Sequence, residues 1–227
     1  MMMEISVDEN LYKTYPSIRL GLLTFNCNVR PSSSAFWQRM NEEVIPEVLE
    51  SIEGKSWNEI PGIRGSRLVY KAFGRNPTRY RVSSEALIRR IKRGEELYHV
   101  NSVVDVNNFL SIKSGLSVGS YDLDKTAGPL VLRKTFPHEG YEGIGKEFLD
   151  LSDMLELADE KGIFGSTMAD NKRTMVTLDS HHILVCLYCF EDEIDLEALV
   201  KEAEEEFRTN CEVTDLDSRI IGKKASD

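Results

Sequence analysis

The chain has 227 residues and a net charge of −10, with 28 lysines and arginines against 38 aspartates and glutamates. This acidic balance excludes a protein that binds nucleic acid indiscriminately, because non-specific affinity depends on neutralising phosphates. The longest apolar run, residues 183–190, is far shorter than the roughly 20 residues that cross a bilayer, and no apolar leader follows the first residues. We therefore expect a cytoplasmic protein that makes no contact with a membrane.

The first quarter of the chain predicts a strand and then a long, interrupted helix. Ile18, Leu20 and Leu22 alternate with other residues, which is the period of a strand. Residues 35–52 have the period of a helix. Pro46 should kink or interrupt that helix, because proline has no N–H to donate within it.

A basic helix is predicted next, beginning at Ser83 or Ser84 and ending before Gly94. Residues 75–93 contain seven of the 28 basic residues and one acid, Glu85. This density makes the segment a candidate contact for a polyanion, and the predicted contact residues are Arg75, Arg79, Arg89, Arg90 and Arg93. A solvated basic face that pairs with acids elsewhere explains the same pattern, so both interpretations stay open.

Residues 98–134 predict a helix, a turn and a strand. Asp105 should cap the helix, and Gly115 should end it. Residues 121–125 are typical of a turn in which aspartates bond to the backbone, and residues 129–133 are rich in β-formers.

The last part of the chain predicts hairpins, a strand and a final helix. Glycines within residues 140–145 and the run 154–159 suggest hairpins, and residues 183–190 form an apolar strand. Residues 194–207 have the period of an amphipathic helix, with Asp195 as its cap.

Strands with helices beside them make the predicted fold class α+β. No repeat, low-complexity tract or long linker divides the chain, so we expect one domain over residues 1–227. Residues beyond 221 resemble a frayed tail.

Cys186 and Cys189 form a C-x-x-C pattern, which in other contexts binds zinc or carries redox chemistry. Within a strand, residues three apart point to opposite faces, whereas a zinc site needs both thiolates on one side. His181 and His182 have no suitably spaced cysteine, histidine or carboxylate partner in the sequence. We therefore expect four reduced thiols, no metal and no cofactor.

From Tyr98 to Lys134 the sequence reads YHVNSVVDVNNFLSIKSGLSVGSYDLDKTAGPLVLRK. Its order of VNSVVDVNNF, YDLDK and VLR resembles the B-three/B-four domain of the phenylalanyl-tRNA synthetase beta subunit. The resemblance is strongest over residues 75–190. It implies a layered sandwich of sheet and helix, with tRNA or aminoacyl-tRNA as the partner. It also implies editing, because the module in that family hydrolyses tRNA mischarged with tyrosine.

The resemblance also implies a site. Asn108 falls on the family's editing-site asparagine, while Gly119 stands where bacterial members carry a histidine. The family's glutamate, which follows a pair of glycines, has no counterpart here, although Asp170 could substitute for it. Asn108 and Asp170 are therefore the candidate catalytic residues, and the candidate pocket residues are Gly119, Gly143, Gly145, Gly165, Ser166 and Thr167.

Three hypotheses remain open at this stage. The first is an editing hydrolase that clears mischarged aminoacyl-tRNA, with the five arginines meeting tRNA phosphates. The second is a non-catalytic module that binds tRNA or an amino acid, since the family's histidine and glutamate are missing. The third is a small-molecule enzyme on a borrowed scaffold, because fold does not determine function. Aminoacylation itself is excluded, as no ATP-binding synthetase core is visible.

Overall fold

The computed structural model describes residues 4–145 and 147–222. The described strands are, in chain order, β1 (Ile5–Val7), β2 (Arg19–Asn26), β3 (Ser117–Asp122), β4 (Leu130–Lys134), β5 (Gly140–Glu142), β6 (Phe148–Asp150), β7 (Leu155–Asp159), β8 (Gly162–Ser166), β9 (His182–Cys189) and β10 (Thr214–Gly222). The described α-helices are α1 (Glu9–Thr14), α2 (Ser34–Arg39), α3 (Ile45–Ser51), α4 (Ile63–Ala72), α5 (Ser83–Lys92), α6 (Ser102–Ser114) and α7 (Leu196–Asn210). None of these helices is both long and apolar enough to cross a membrane.

Two four-stranded sheets organise the fold. The first has the strand order β10-β2-β9-β3 and is antiparallel throughout. The second has the order β1-β4-β7-β8, with β1 and β4 parallel. Strands β5 and β6 form a separate hairpin. The predicted α+β class is confirmed.

Two apolar cores lie on opposite faces of the first sheet. One core joins that sheet to helices α2, α3, α5, α6 and α7. The other fills the space between the two sheets. The layers therefore run helices, first sheet, second sheet, which is the predicted sandwich.

Strand β9 has core on both faces, which explains its unbroken apolar sequence. Cys186 belongs to the core between the sheets, whereas Cys189 belongs to the core under the helices. Both thiols are free and buried, and burial raises their pKa values above the ordinary range. The strand period therefore separates the two sulfurs, as predicted.

The helices lie near the predicted residues, but α7 runs over Leu196–Asn210 where residues 194–207 were expected, and one predicted cap is wrong. A π-helical segment, Met40–Val44, separates α2 from α3 and ends two residues before Pro46, close to the predicted interruption. The prediction that Asp105 caps α6 is wrong: Asn101 is the cap, and its side chain accepts from the Val104 amide. Asp105 instead lies inside the first turn, where burial is offset by hydrogen bonds from the Val100 amide and the Ser32 hydroxyl.

Other expectations hold in part. Asp195 caps α7, as predicted, and its carboxylate accepts from the Ala198 amide. The predicted turn over residues 121–125 is shorter, because Tyr121 and Asp122 end strand β3 and only Leu123–Lys125 turn. Of the predicted tail, Gly222 ends strand β10, and residues 223–227 lie outside the described part.

Helix α4 is capped by a carboxylate from a distant part of the chain. The buried Glu191 accepts from the backbone amides of Gly62, at 2.6 Å, and Gly65, at 2.9 Å. Arg64 donates to the other oxygen of the same carboxylate. A negative charge at these amides satisfies donors that the helix itself leaves open and opposes the positive end of the helix dipole.

Gly115 ends α6 with φ of +74°, as predicted, and a Cβ there would lie 2.2 Å from the Pro61 carbonyl oxygen. Gly54 has φ of +72° but open space around its Cα. Both alanine substitutions carry the same backbone penalty, so we expect Gly115→Ala to lower the free energy of unfolding by about 2 kcal/mol more than Gly54→Ala. Denaturant unfolding of the two variants measures the difference, and equal losses would contradict it.

Candidate functional site

A cavity of about 210 Å³ opens between α6, β3 and the loop that follows β8. Its lining mixes apolar side chains with hydroxyl, amide and carboxylate groups. The lining residues are Ser83, Val100, Val104, Asn107, Asn108, Val118, Ser120, Ile144, Ser166, Ala169, Asp170, Met175 and Val176. Sites for drug-sized ligands enclose roughly 300–1,000 Å³, so this cavity suits a ligand the size of one amino acid.

Helix α6 presents one face to the cavity. Val104, Asn107 and Asn108 stand at positions i, i+3 and i+4, which share one side of a helix. The capping residue Asn101 also donates from its side-chain nitrogen to the Val176 carbonyl, at 3.4 Å, across the cavity's edge. The cap therefore joins the start of the helix to the opposite wall.

Asn107 contributes an orphaned acceptor. The residue is 7% exposed, and its Oδ1 has no hydrogen-bond partner among the residues that the structure describes. A buried carbonyl oxygen without a donor costs free energy, which a ligand N–H or O–H would recover. The cavity therefore favours a ligand that carries a hydrogen-bond donor.

Asp170 is held at the cavity wall from the core side. Its Oδ1 accepts from the Tyr121 hydroxyl, at 3.0 Å, and from the Ser166 amide, at 3.4 Å. The Tyr121 and Tyr188 hydroxyls are 2.8 Å apart. Burial raises the pKa of Tyr121 well above its usual value, so the phenol remains protonated and donates to the carboxylate.

Gly119 and Gly165 make room for the Tyr121 ring. A Cβ at Gly119 would lie 2.1 Å from the Tyr121 hydroxyl oxygen, and one at Gly165 would lie 2.3 Å from the ring. Neither glycine lines the cavity. Any side chain at Gly119, a histidine included, would displace the phenol that bonds to Asp170.

Of the remaining predicted pocket residues, only Ser166 lines the cavity. Ser166 lines the cavity, and its hydroxyl donates to the Ala169 carbonyl. Thr167 is buried behind the wall, with its hydroxyl 2.5 Å from that of Tyr70. Gly143 forms a bridge to the Asn171 backbone, and Gly145 turns with φ of +67°. The structure thus brings together three of the predicted catalytic and pocket residues: Asn108, Ser166 and Asp170.

Sequence reasoning missed the other cavity residues and the Tyr121–Tyr188 pair. The alternation along β3 places Tyr121 and Gly119 on one face, which is the one sequence signal for that contact. The pairing of β3 with β9, which brings Tyr188 alongside, joins segments far apart in the chain. No local pattern specifies it.

Three of the five predicted RNA-contacting arginines are ion-paired within the chain. Arg89 bonds the buried Glu85 at 2.8 Å. Arg90 and Arg93 both bond Glu95, at 3.1 and 2.7 Å. These pairs match the interpretation of a basic face compensated by acids.

The loop before α5 contains arginines that form no ion pair with another described residue. Arg75 lies over the Tyr80 ring and donates to its hydroxyl. Arg79 and Arg81 are exposed, and neither forms an ion pair with another described residue. Of the arginines in residues 75–93, these two are both exposed and outside the ion pairs of the described residues.

A family model and a curated protein match parts of this chain. A family model described as B3/4 domain matches residues 65–211, which include all the described cavity residues. The phenylalanine–tRNA ligase beta subunit of Cutibacterium acnes is 32% identical over 90 residues, which are 38% of this chain and 10% of that protein. The chain therefore spans about a tenth of the length of this curated relative.

A solved N-terminal fragment of the phenylalanyl-tRNA synthetase beta subunit from Pyrococcus horikoshii is also similar. It covers 96% of this chain, which covers 50% of the fragment, at 14% identity and a TM-score of 0.44.

Proposed function

This chain belongs to the B3/4 domain family, and from that membership we propose that it binds the aminoacyl end of a tRNA and hydrolyses the ester of a mischarged amino acid. One observation carries the proposal. Asn108 and Asp170, which are distant in sequence, line the same cavity of about 210 Å³. The reaction belongs in the cytoplasm, where tRNA is charged.

The charge of the lining favours an ester over a free amino acid. The described lining residues include one carboxylate, Asp170, and no lysine or arginine. An esterified amino acid presents an α-ammonium group and a neutral carbonyl, whereas a free amino acid also presents a carboxylate that would need a cation. Asp170 and the Asn107 oxygen supply acceptors for the ammonium group.

Hydrolysis requires a positioned water and a donor for the oxyanion that forms on the ester carbonyl. In our proposal Asp170 orients the water and takes its proton as the oxygen attacks. The Asn108 side-chain amide donates to the oxyanion. The acyl–oxygen bond to the ribose then breaks, and the ribose oxygen recovers the proton. The apolar residues Val104, Val118 and Val176 contact the amino-acid side chain and limit its size.

A deacylation time course against a panel of correctly and wrongly charged tRNAs tests the proposal. We expect hydrolysis of one mispaired species, and a rate about 100-fold lower for Asn108→Ala, which is the loss typical of one oxyanion donor. Asn58→Ala, outside the cavity, is the matched control and should retain the parent rate. If the protein hydrolyses none of these species, the proposed hydrolase activity is wrong.

The tRNA body would contact the exposed arginines before α5. We expect Arg79→Gln with Arg81→Gln to weaken tRNA binding and to reduce the slope of log affinity against log salt by about two. Lys201→Gln with Arg208→Gln on α7 changes the net charge equally and should leave binding unchanged. Filter binding at several salt concentrations measures both, and equal effects of the two pairs would contradict a localised footprint.

A non-catalytic binding module is the second candidate. It is favoured by Gly119, whose place beside Tyr121 excludes the family's histidine, and by the absence of histidine, lysine and glutamate from the described lining. A protein that binds one aminoacyl-tRNA tightly but leaves its ester intact through the time course would support this candidate.

A further inference from the structure

Tyr141 stands between two oxygen atoms behind the cavity wall, one of them on the buried Glu156. Its hydroxyl lies 2.8 Å from Oε2 of Glu156 and 2.6 Å from the carbonyl oxygen of Ala169. Glu156 is fully buried, and its Oε1 has no hydrogen-bond partner among the described residues. Both distances lie within the range of O–H···O hydrogen bonds, so each contact needs a hydrogen.

The number of protons that these groups carry shows which group donates in each of the two contacts of Tyr141. A carbonyl oxygen only accepts, so the contact with Ala169 takes the single hydroxyl proton of Tyr141. The contact with Glu156 then needs a second proton, because two oxygens at 2.8 Å without a hydrogen between them repel each other. That proton has to reside on Glu156.

We propose that Glu156 is held as a neutral carboxylic acid that donates to the Tyr141 oxygen and so fixes the Ala169 carbonyl. Ala169 and Asp170 are neighbours in the cavity lining, which makes Glu156 a positioning residue for that wall. The role of Glu156 as a positioning residue rests on the proposed function of the cavity, whereas the protonation of Glu156 does not.

No basic side chain among the described residues forms an ion pair with Glu156. Arg133 lies opposite Glu156 in the pairing of β4 with β7, but its guanidinium bonds both oxygens of Glu139, at 2.9 and 2.6 Å. Burial is the largest influence and raises the pKa of Glu156 well above its usual value; hydrogen bonds with Tyr141 and Ser166 lower it, and the negative charges of Asp170 and Glu139 raise it. The titratable and charged groups that act on or face it are Tyr70, Arg133, Glu139, Tyr141, Asp170 and Tyr188.

The pH dependence of unfolding tests the protonation directly. Because Glu156 binds a proton in the folded state and loses it on unfolding above about pH 5, unfolding releases one proton. The contribution of this group to stability is complete below the unfolded pKa and is lost as pH rises towards the folded one. Relative to Glu156→Gln, a neutral isostere, the parent's unfolding equilibrium constant should rise about tenfold per pH unit from about pH 5.5 up to the folded-state pKa of Glu156.

Glu95→Gln is the matched control, since Glu95 is an ionised partner of Arg93 and is not among the groups that act on Glu156. Hydrogen bonding to Arg93 lowers the pKa of Glu95, so the control changes the pH dependence only below about pH 5, and with the opposite sign. Equal slopes for the parent and Glu156→Gln between pH 5.5 and 8 would overturn the proposal, because they would mean that Glu156 is already ionised when folded.

Infrared spectroscopy supplies a test that does not depend on a folded variant. The parent labelled with 13C-glutamate should show the carbonyl stretch of a protonated glutamic acid at pH 7, and its absence would overturn the proposal. Neither measurement uses a ligand or an activity, so failure here leaves the deacylation result unaffected. A flat deacylation time course equally leaves the protonation of Glu156 standing.

Discussion

We expect Asp170→Asn to lower the deacylation rate about 100-fold, because an amide cannot take the proton of the attacking water. The substitution keeps the shape of the side chain and an oxygen that accepts from the Tyr121 hydroxyl. The loss should therefore fall mainly on kcat, with the fold retained, while KM should also rise because the neutral amide no longer attracts the ammonium group of the substrate. Single-turnover kinetics with the substrate that the panel identifies measure the rate.

Glu142→Gln is the control for this substitution. Glu142 carries an exposed carboxylate on β5 that pairs with Lys172 and does not line the cavity. Neutralising it removes the same charge from the same side of the molecule. If Glu142→Gln and Asp170→Asn slow deacylation equally, the effect is one of net charge, and Asp170 is not the base.

Glu191→Ala is expected to lower the free energy of unfolding by about 3 kcal/mol. The buried carboxylate bonds the amides of Gly62 and Gly65 and the side chain of Arg64, so its removal leaves two buried donors and a cation without their acceptor. Gly65 has no room for a side chain, since a Cβ there would lie 2.6 Å from Glu191. Denaturant unfolding followed by circular dichroism measures the change.

Glu193→Gln is the neighbouring control. Glu193 is 77% exposed and lies 3.8 Å from Arg64, so its removal should cost at most about 0.5 kcal/mol. A loss for Glu191→Ala as small as that for Glu193→Gln would contradict the capping role. It would mean that apolar contacts alone stabilise α4.

Local chemistry explains the parts of the fold that the sequence predicts well. Gly115 and Asp195 mark helix ends through backbone conformation and capping, which depend on a few neighbouring residues. The opposite faces of Cys186 and Cys189 follow from the strand period alone. The cap of α6 is the exception, because Asn101 and Asp105 are both capping residue types and tertiary contacts decide between them.

The candidate site depends more on long-range packing. Asn108 and Asp170 were found through a family resemblance, and no residue pattern between them indicates that they share a cavity. The neutral state that we propose for Glu156 depends equally on which side chains the fold brings together. The density of arginines in residues 75–93 predicts a basic segment but not how much of its charge remains available.

We propose that the Asn108–Asp170 cavity receives the aminoacyl group. A crystal structure with an aminoacyl-adenosine analogue, in which an amide replaces the ester so that it resists hydrolysis, would locate the group. We predict that the aminoacyl group occupies the cavity, with its ammonium group within hydrogen-bond distance of Asp170 and its carbonyl oxygen facing Asn108. An analogue bound elsewhere on the protein, with the cavity unchanged, would contradict the account.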